Sequence, residues 1–244
     1  MEPAHPPLTP GTLFLVATPI GNLEDITLRA LRVLRECDAV LAEDTRHSGH
    51  LLRHFQIQKP LVSCFQFNEA RRGGEVIERL RRGERLALVT DAGSPGISDP
   101  GERLVRAVLE AGLRVEPVPG PCALVAGLTA SGLPTGEFHF VGFLPHKSGQ
   151  RRRELERLAA VPGTLVLYES PYRIGRLLEE LAGLLPARTV VVGRELTKKF
   201  EEFLRGKPAE LVERTRTRPV KGECVVLVAP AEESTGQSPV PNAL

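Results

Sequence analysis

Short apolar runs alternate with helix-period patterns from Thr12 to Pro230, and most runs end in a loop that opens a helix. That alternation calls for an α/β fold with mainly parallel sheets, since strand and helix then form repeated crossover units. The strand candidates are Thr12–Ala17, Ala39–Ala42, Leu61–Phe65, Leu86–Thr90 and Arg114–Val118, then Phe138–Phe143, Thr164–Tyr168, Thr189–Gly193 and Glu223–Ala229. The helix candidates are Leu28–Glu36, Thr45–His54, Glu75–Arg82, Pro100–Ala111, Cys122–Ala130, Gly149–Ala159, Pro171–Leu184 and Pro208–Arg216. Between Gly120 and Gly136 the dipeptides and tripeptides PGP, SG, LP and TG interrupt the pattern. The expected division is an N-terminal α/β domain over 12–120 and a C-terminal one over 121–230. Residues 1–11 and 231–244, rich in Pro, Ser and small polar residues, read as loose tails.

Composition removes several function classes. A net charge of +2 over 244 residues excludes a strongly basic nucleic-acid protein but leaves room for a local basic face. Cys37, Cys64, Cys122 and Cys224 are scattered with no CxxC, as expected for buried thiols of a reduced, cytoplasmic protein. The N-terminus has no apolar signal core, and no run nears the roughly 18 apolar residues of a membrane helix. No metal is expected: His50 and His54 lie one helical turn apart but lack a third ligand. GxSxG is also absent.

The loops after the strands carry the chemistry. LALVTDAGSPGISDPG, Leu86 to Gly101, runs from a strand through small residues into a helix start. It is neither GxGxxG nor a GK[ST] phosphate loop. Asp99, before Pro100 and Gly101, reads as a helix N-cap, whereas Asp91 ends a strand with no helix to cap and is the freer functional candidate. Asp44-Thr45 and Ser170-Pro171 also read as caps. TPIGNLED after the first strand and PGPCAL at 119–124 are further small-residue loops, suited to a ligand or to tight packing. Arg46, in EDTR, has the forked guanidinium that suits a phosphate. Tyr168, in YESP, either stacks on a ligand or is a half-buried ring. RELTKKFEE, Arg194 to Glu202, reads as a solvated charged loop or a partner surface. Arg151, Arg152 and Arg153 span about 200° of a helix and cannot share one face. Arg152 and Glu156 form an i,i+4 pair, so these arginines read either as a solvated face or, through at least one of them, as a contact to RNA.

Read together, ATPIGNLED, AEDTR, FNE, TDAGSPGISDPG, PGPCAL, ASGLP, YESP and RELTK follow one family in order and spacing. Over roughly Thr12 to Pro230 the chain resembles the ribosomal RNA small subunit methyltransferase I family, within the tetrapyrrole methylase superfamily. The resemblance implies two α/β domains with S-adenosylmethionine in the interdomain cleft. It implies 2′-O-methylation of a decoding-centre cytidine of 16S rRNA in the 30S subunit, by a homodimer. Carried over by motif, the donor contacts are Pro19, Asp91, Ala92, Gly93, Ser94, Gly96, Ile97, Ser98, Pro121, Ala123, Leu124 and Tyr168. Glu43, Asp44 and Lys198 are the candidates for a general base, and Arg46, Arg151, Arg152 and Lys199 for RNA contact. A sulfonium donor has no phosphates, so a loop without a phosphate signature fits it. The nearest alternative is a porphyrinogen C-methylase of the same fold.

Overall fold

The computed structural model describes residues 6–65 and 69–231. The chain divides into two compact units, Met1–Ala123 and Leu124–Leu244. In the first unit β1 (Thr12–Val16), α1 (Leu28–Glu36), β2 (Ala39–Ala42), α2 (Thr45–His54) and β3 (Leu61–Ser63) are followed by α3 (Glu69–Arg81), β4 (Leu86–Val89), α4 (Glu102–Glu110) and β5 (Arg114–Val118). The sheet order is β3-β2-β4-β1-β5, and every pairing is parallel. Residues of β2 and β4 are buried throughout, as a parallel sheet covered on both faces requires. Phe14, Val16, Val40 and Val89 pack into one cluster with α1; Leu13, Leu41, Leu86 and Leu88 pack into another with α3 and α4. The strand ends of this unit therefore carry their loops on one edge, where ligands bind in open α/β sheets.

The second unit begins within α5 (Ala123–Ser131) and continues through β6 (Phe138–Phe143), α6 (Ser148–Leu158), β7 (Thr164–Glu169) and α7 (Ile174–Leu184). It ends with β8 (Val190–Arg194), β9 (Glu202–Gly206), α8 (Pro208–Thr217) and β10 (Cys224–Val228). Its sheet, β6-β7-β10-β8-β9, corrects the expectation of mainly parallel sheets: only β6 and β7 are parallel, and the other pairings are antiparallel. The strand β9, missed in the sequence, explains part of this. β8 and β9 are joined directly across 195–201, too short for a parallel crossover.

Two N-caps also differ from expectation. The N-cap of α4 is Gly101 at φ 136, with no side-chain cap bond, so the helix starts beyond Asp99 and Pro100. Arg173, not Ser170, is the N-cap of α7. Asp44 does cap α2, accepting from the Arg46 N–H. The N-terminal tail is shorter than read: Leu8 is buried in the core and the Pro6 carbonyl accepts from Arg32 at 3.2 Å. Residues 1–5, 66–68 and 232–244, including most of the two tails and Phe67 and Asn68 of FNE, lie outside the described residues. Cys37, Cys64 and Cys224 are buried; burial pushes the Cys37 thiol up to about 11 and the Cys224 thiol up to about 12. No described helix is long and apolar enough to cross a membrane.

Candidate active site

In the first unit, four loops at the carboxyl ends of β1, β2, β4 and β5 are bonded into one framework. Thr18 and Gly93 exchange both backbone hydrogen bonds, at 2.9 and 3.0 Å, which joins TPIGN to DAGSPG. The Thr18 hydroxyl donates to the Thr90 carbonyl at 3.1 Å, and the Thr90 hydroxyl donates to Glu43 Oε2 at 3.1 Å. The Asp44 N–H donates to Asp91 Oδ1 at 3.2 Å, and the Ser94 hydroxyl to the Pro121 carbonyl at 3.3 Å. Thr18 and Thr90 are the residues the sequence reading missed. Both are buried threonines where a strand meets its loop, and their hydroxyls hold the loops in register.

Gly93 is where the framework demands glycine. Its φ is 89°, and an added Cβ would stand 3.5 Å from Ile20 Cγ2 and 3.8 Å from the Pro121 carbonyl oxygen. Both distances are ordinary contacts, so the positive φ rather than lack of room is what calls for glycine. Ala92, Gly96, Ile97 and Ser98 are exposed on the same loop, and Ser98 also takes a left-handed φ of 61°. From Thr90 to Gly101 the loop holds no lysine or arginine. Its charges are Asp91 and Asp99, and Glu43 is tied to its first residue. Such a surface repels a pyrophosphate and attracts a cation such as a sulfonium. Pro19 and Pro121 are half-buried beside it in the chain segments the framework ties down.

The three base candidates separate. The Arg46 side chain, followed by its backbone N–H, holds the Asp44 carboxyl far below the usual range, which makes it a poor base. Lys198 is engaged as a cation, 2.9 Å from Glu195 and 3.7 Å from Glu223. Glu43 uses Oε2 for Thr90 and is half-buried, leaving Oε1 for a substrate. Arg46 forks onto Asp44, with Nε at 3.1 Å and Nη2 at 2.7 Å, and its side chain is 87% exposed. A pair so open to water is screened and can be exchanged for a phosphate.

In the second unit, the Tyr168 hydroxyl accepts from the Leu124 N–H at 2.9 Å, satisfying one of the orphan donors that open α5. Phe140 and Phe143 stand edge-on to the same ring, with centroids 5.0 and 5.8 Å away. Glu169, whose side chain is fully buried, accepts from the Ser170 N–H and pairs with Arg173 at 3.1 Å; burial raises its carboxyl above the usual range. The loop after β8 is strained: Glu195 and Thr197 have φ of 51° and 66°. Non-glycine residues held there cost about 1–3 kcal/mol each and cluster at functional sites. Gly222 backs this loop at φ 79°, where a Cβ would overlap the Glu195 side chain.

The RNA candidates do not all survive. Arg151 is buried, bidentate to Glu180 at 2.6 and 2.8 Å, and donates to the His146 carbonyl. It is a structural residue, because it shares the inward face of α6 with Leu155 and Leu158. Arg151→Ala should lower stability by about 3 kcal/mol, since it strands the Glu180 carboxylate. Thermal melts of the variant check this, and RNA affinity of the folded protein should stay at the wild-type value. Arg152 is exposed and paired with Glu156 at 3.0 Å, as its spacing predicts. Lys199 lies 5.6 Å over the Phe200 ring, both on the loop after β8.

The family model described as tetrapyrrole (corrin/porphyrin) methylases matches residues 12–212. The chain belongs to the tetrapyrrole methylase family. Its curated relatives are named ribosomal RNA small subunit methyltransferase I. The one from Pseudomonas aeruginosa is 49% identical over 239 residues, covering 96% of this chain and 84% of that protein. Another, from Xylella fastidiosa, is 50% identical, covering 92% and 84%. The chain is thus a member of that methyltransferase I branch. Among solved structures, uroporphyrin III C-methyltransferase from Thermus thermophilus superposes with a TM-score of 0.63 at 23% identity, covering 89% of this chain and 97% of that one. The methyltransferase CobJ superposes with a TM-score of 0.66 at 19% identity, covering 90% and 93%. These structural likenesses concern the fold.

Proposed function

We propose that this protein moves the methyl group of S-adenosylmethionine to the 2′-oxygen of a decoding-centre cytidine of 16S rRNA in the 30S subunit. The enzyme is an S-adenosylmethionine-dependent rRNA methyltransferase, as its relatives are named. The observation that carries the reading is the cation-free, glycine-backed Thr90–Gly101 loop bonded to Glu43 and the start of α2. The residues present fit the donor: the Asp91 carboxylate lies in a loop without lysine or arginine, and small residues at 92–94 and 96 leave no bulky side chain there. A solved structure of the Thermus thermophilus uroporphyrin-III C-methyltransferase is complexed with S-adenosylhomocysteine, which supports the same donor here.

The bound donor supplies an electrophilic methyl group. Glu43 Oε1 takes the proton of the ribose hydroxyl, so that the oxygen can form its bond to carbon as the carbon–sulfur bond breaks. Arg46 exchanges Asp44 for a phosphate next to the reacting ribose. Asp91 sits between these roles, since it also fixes the Asp44 N–H from which α2 begins. Tyr168 and Leu124 remain proposed donor contacts, now with their mutual hydrogen bond to consider. The dimer of the family is proposed as well, supported by Phe138 and Phe143, 43% and 56% exposed on the edge strand β6.

Labelled methyl transfer from S-adenosylmethionine to 30S subunits, run beside a porphyrinogen substrate, tests the reading. Transfer to the porphyrinogen alone would favour the C-methylase alternative that the uroporphyrin methylase fold keeps open. Arg46→Ala should bind S-adenosylhomocysteine like wild type by calorimetry yet lose tenfold or more of its transfer to 30S subunits. Normal transfer by that variant would remove the phosphate role.

A further inference from the structure

One basic groove of the second unit has no role in the reading above. At one end of the second unit's sheet, Arg194, Glu202, Arg214, Thr217, Arg218 and Lys221 line a groove between the β8–β9 hairpin and the end of α8. Four cations face one carboxylate there. Glu202 is already shared, 3.3 Å from Arg194 and 3.3 Å from Arg218. The carboxyl end of α8 adds about half a negative charge, which leaves the groove clearly positive. The cavity along α6 and α7 is less one-sided: Arg151, Arg152 and Arg176 line it with Glu179 and Glu180, and Arg151 is bound to Glu180.

The groove is built as well as charged. Arg194 donates to the carbonyls of Lys221 at 2.9 Å and Phe200 at 3.0 Å, so one wall is fixed. Arg214 and Lys221 are exposed, and neither has a carboxylate partner among the described residues. Its lining residues Arg194 and Glu202 flank the strained loop after β8. The Glu195 N–H donates to the Glu223 carbonyl at 3.1 Å, and Gly222 lies against the Glu195 side chain. That loop carries Lys198 and Lys199.

We propose that this groove holds the sugar-phosphate backbone of the RNA substrate, with Arg214 and Lys221 each neutralising a phosphate. The proposal rests on the rRNA reading above and extends it to a docking surface on the second unit. Contacts of this kind carry register and affinity but no base sequence, and they weaken steeply with salt.

The test compares Arg214→Gln/Lys221→Gln with wild type. Neither cation has a carboxylate to strand, so the variant should melt with the wild type. Its KM for 30S subunits should rise tenfold or more, with kcat and S-adenosylhomocysteine affinity unchanged. Its affinity for protein-free 16S rRNA should also fall, and the slope of log affinity against log salt should become shallower by about 1–2. Unchanged KM and salt slope in an active variant would overturn the groove and leave the methyl-transfer reading standing. Loss confined to 30S subunits, with protein-free rRNA bound as tightly as before, would mean a ribosomal protein occupies the groove and would equally overturn it. If wild type transfers no methyl group, the functional reading fails by itself, and RNA affinity alone judges the groove: equal affinity in variant and wild type rejects it.

Discussion

Asp91→Ala is expected to weaken S-adenosylmethionine binding tenfold or more. The carboxylate follows β4, which ends at Val89, in a loop that has no cation to neutralise it, so it is the charge best placed for a cationic ligand. A charge-assisted interaction is worth about 1.5–3 kcal/mol, and 1.4 kcal/mol is a factor of ten in affinity. Asp91 also accepts from the Asp44 N–H at 3.2 Å, so alanine loosens the start of α2 as well. Asp91→Asn separates the two effects. It keeps an oxygen for the Asp44 N–H and loses the charge. Calorimetry should find both variants weak if the charge faces the donor. If asparagine binds like wild type while alanine does not, Asp91 acts by holding α2. Wild-type affinity in both would remove Asp91 from the donor site.

Glu43→Gln should lower kcat by about 10²–10⁴-fold, the usual contribution of a positioned general base. Donor affinity should stay unchanged, because the glutamine still accepts from the Thr90 hydroxyl through its carbonyl oxygen. Single-turnover transfer to 30S subunits, with donor titrated separately, reads the two quantities apart. A Glu43→Gln enzyme with near-normal kcat would take the base role from Glu43 and reopen the question of Lys198. Asp44 is disfavoured because the N–H groups at the start of α2 still stabilise its charge when the Arg46 side chain leaves it for a phosphate.

The first unit was legible because its signals are local. Apolar runs such as LALV and AVLA are short and end in loops that open helices, which favours buried parallel strands, and Asp44 lies where a cap must lie. The second unit was harder. β9 reads EFLRG, whose charges hid a strand at the edge of its sheet. Only its pairing with β8, Arg194 opposite Glu202 through Val190 opposite Gly206, makes it one. The Asp99 cap failed because Gly101 takes a φ of 136° and the helix cannot begin before it. Arg151 was readable after all: Leu155 and Leu158 follow it at helical spacing on the inward face. The candidate site was legible as motifs, but the bonds that join them were not. Thr18–Gly93, Thr90–Glu43 and Asp44–Asp91 bridge residues 47 to 75 positions apart, and no periodicity encodes such pairs.

Mass mapping of 16S rRNA is the most direct test of the central claim. 30S subunits lacking the modification would be incubated with the protein and S-adenosylmethionine, digested, and compared with a donor-free control. A single added methyl group is expected on the ribose of a decoding-centre cytidine, absent with Glu43→Gln over the same time. A methyl group on a base, at another region of the rRNA, or none at all while donor binding is intact, would contradict it.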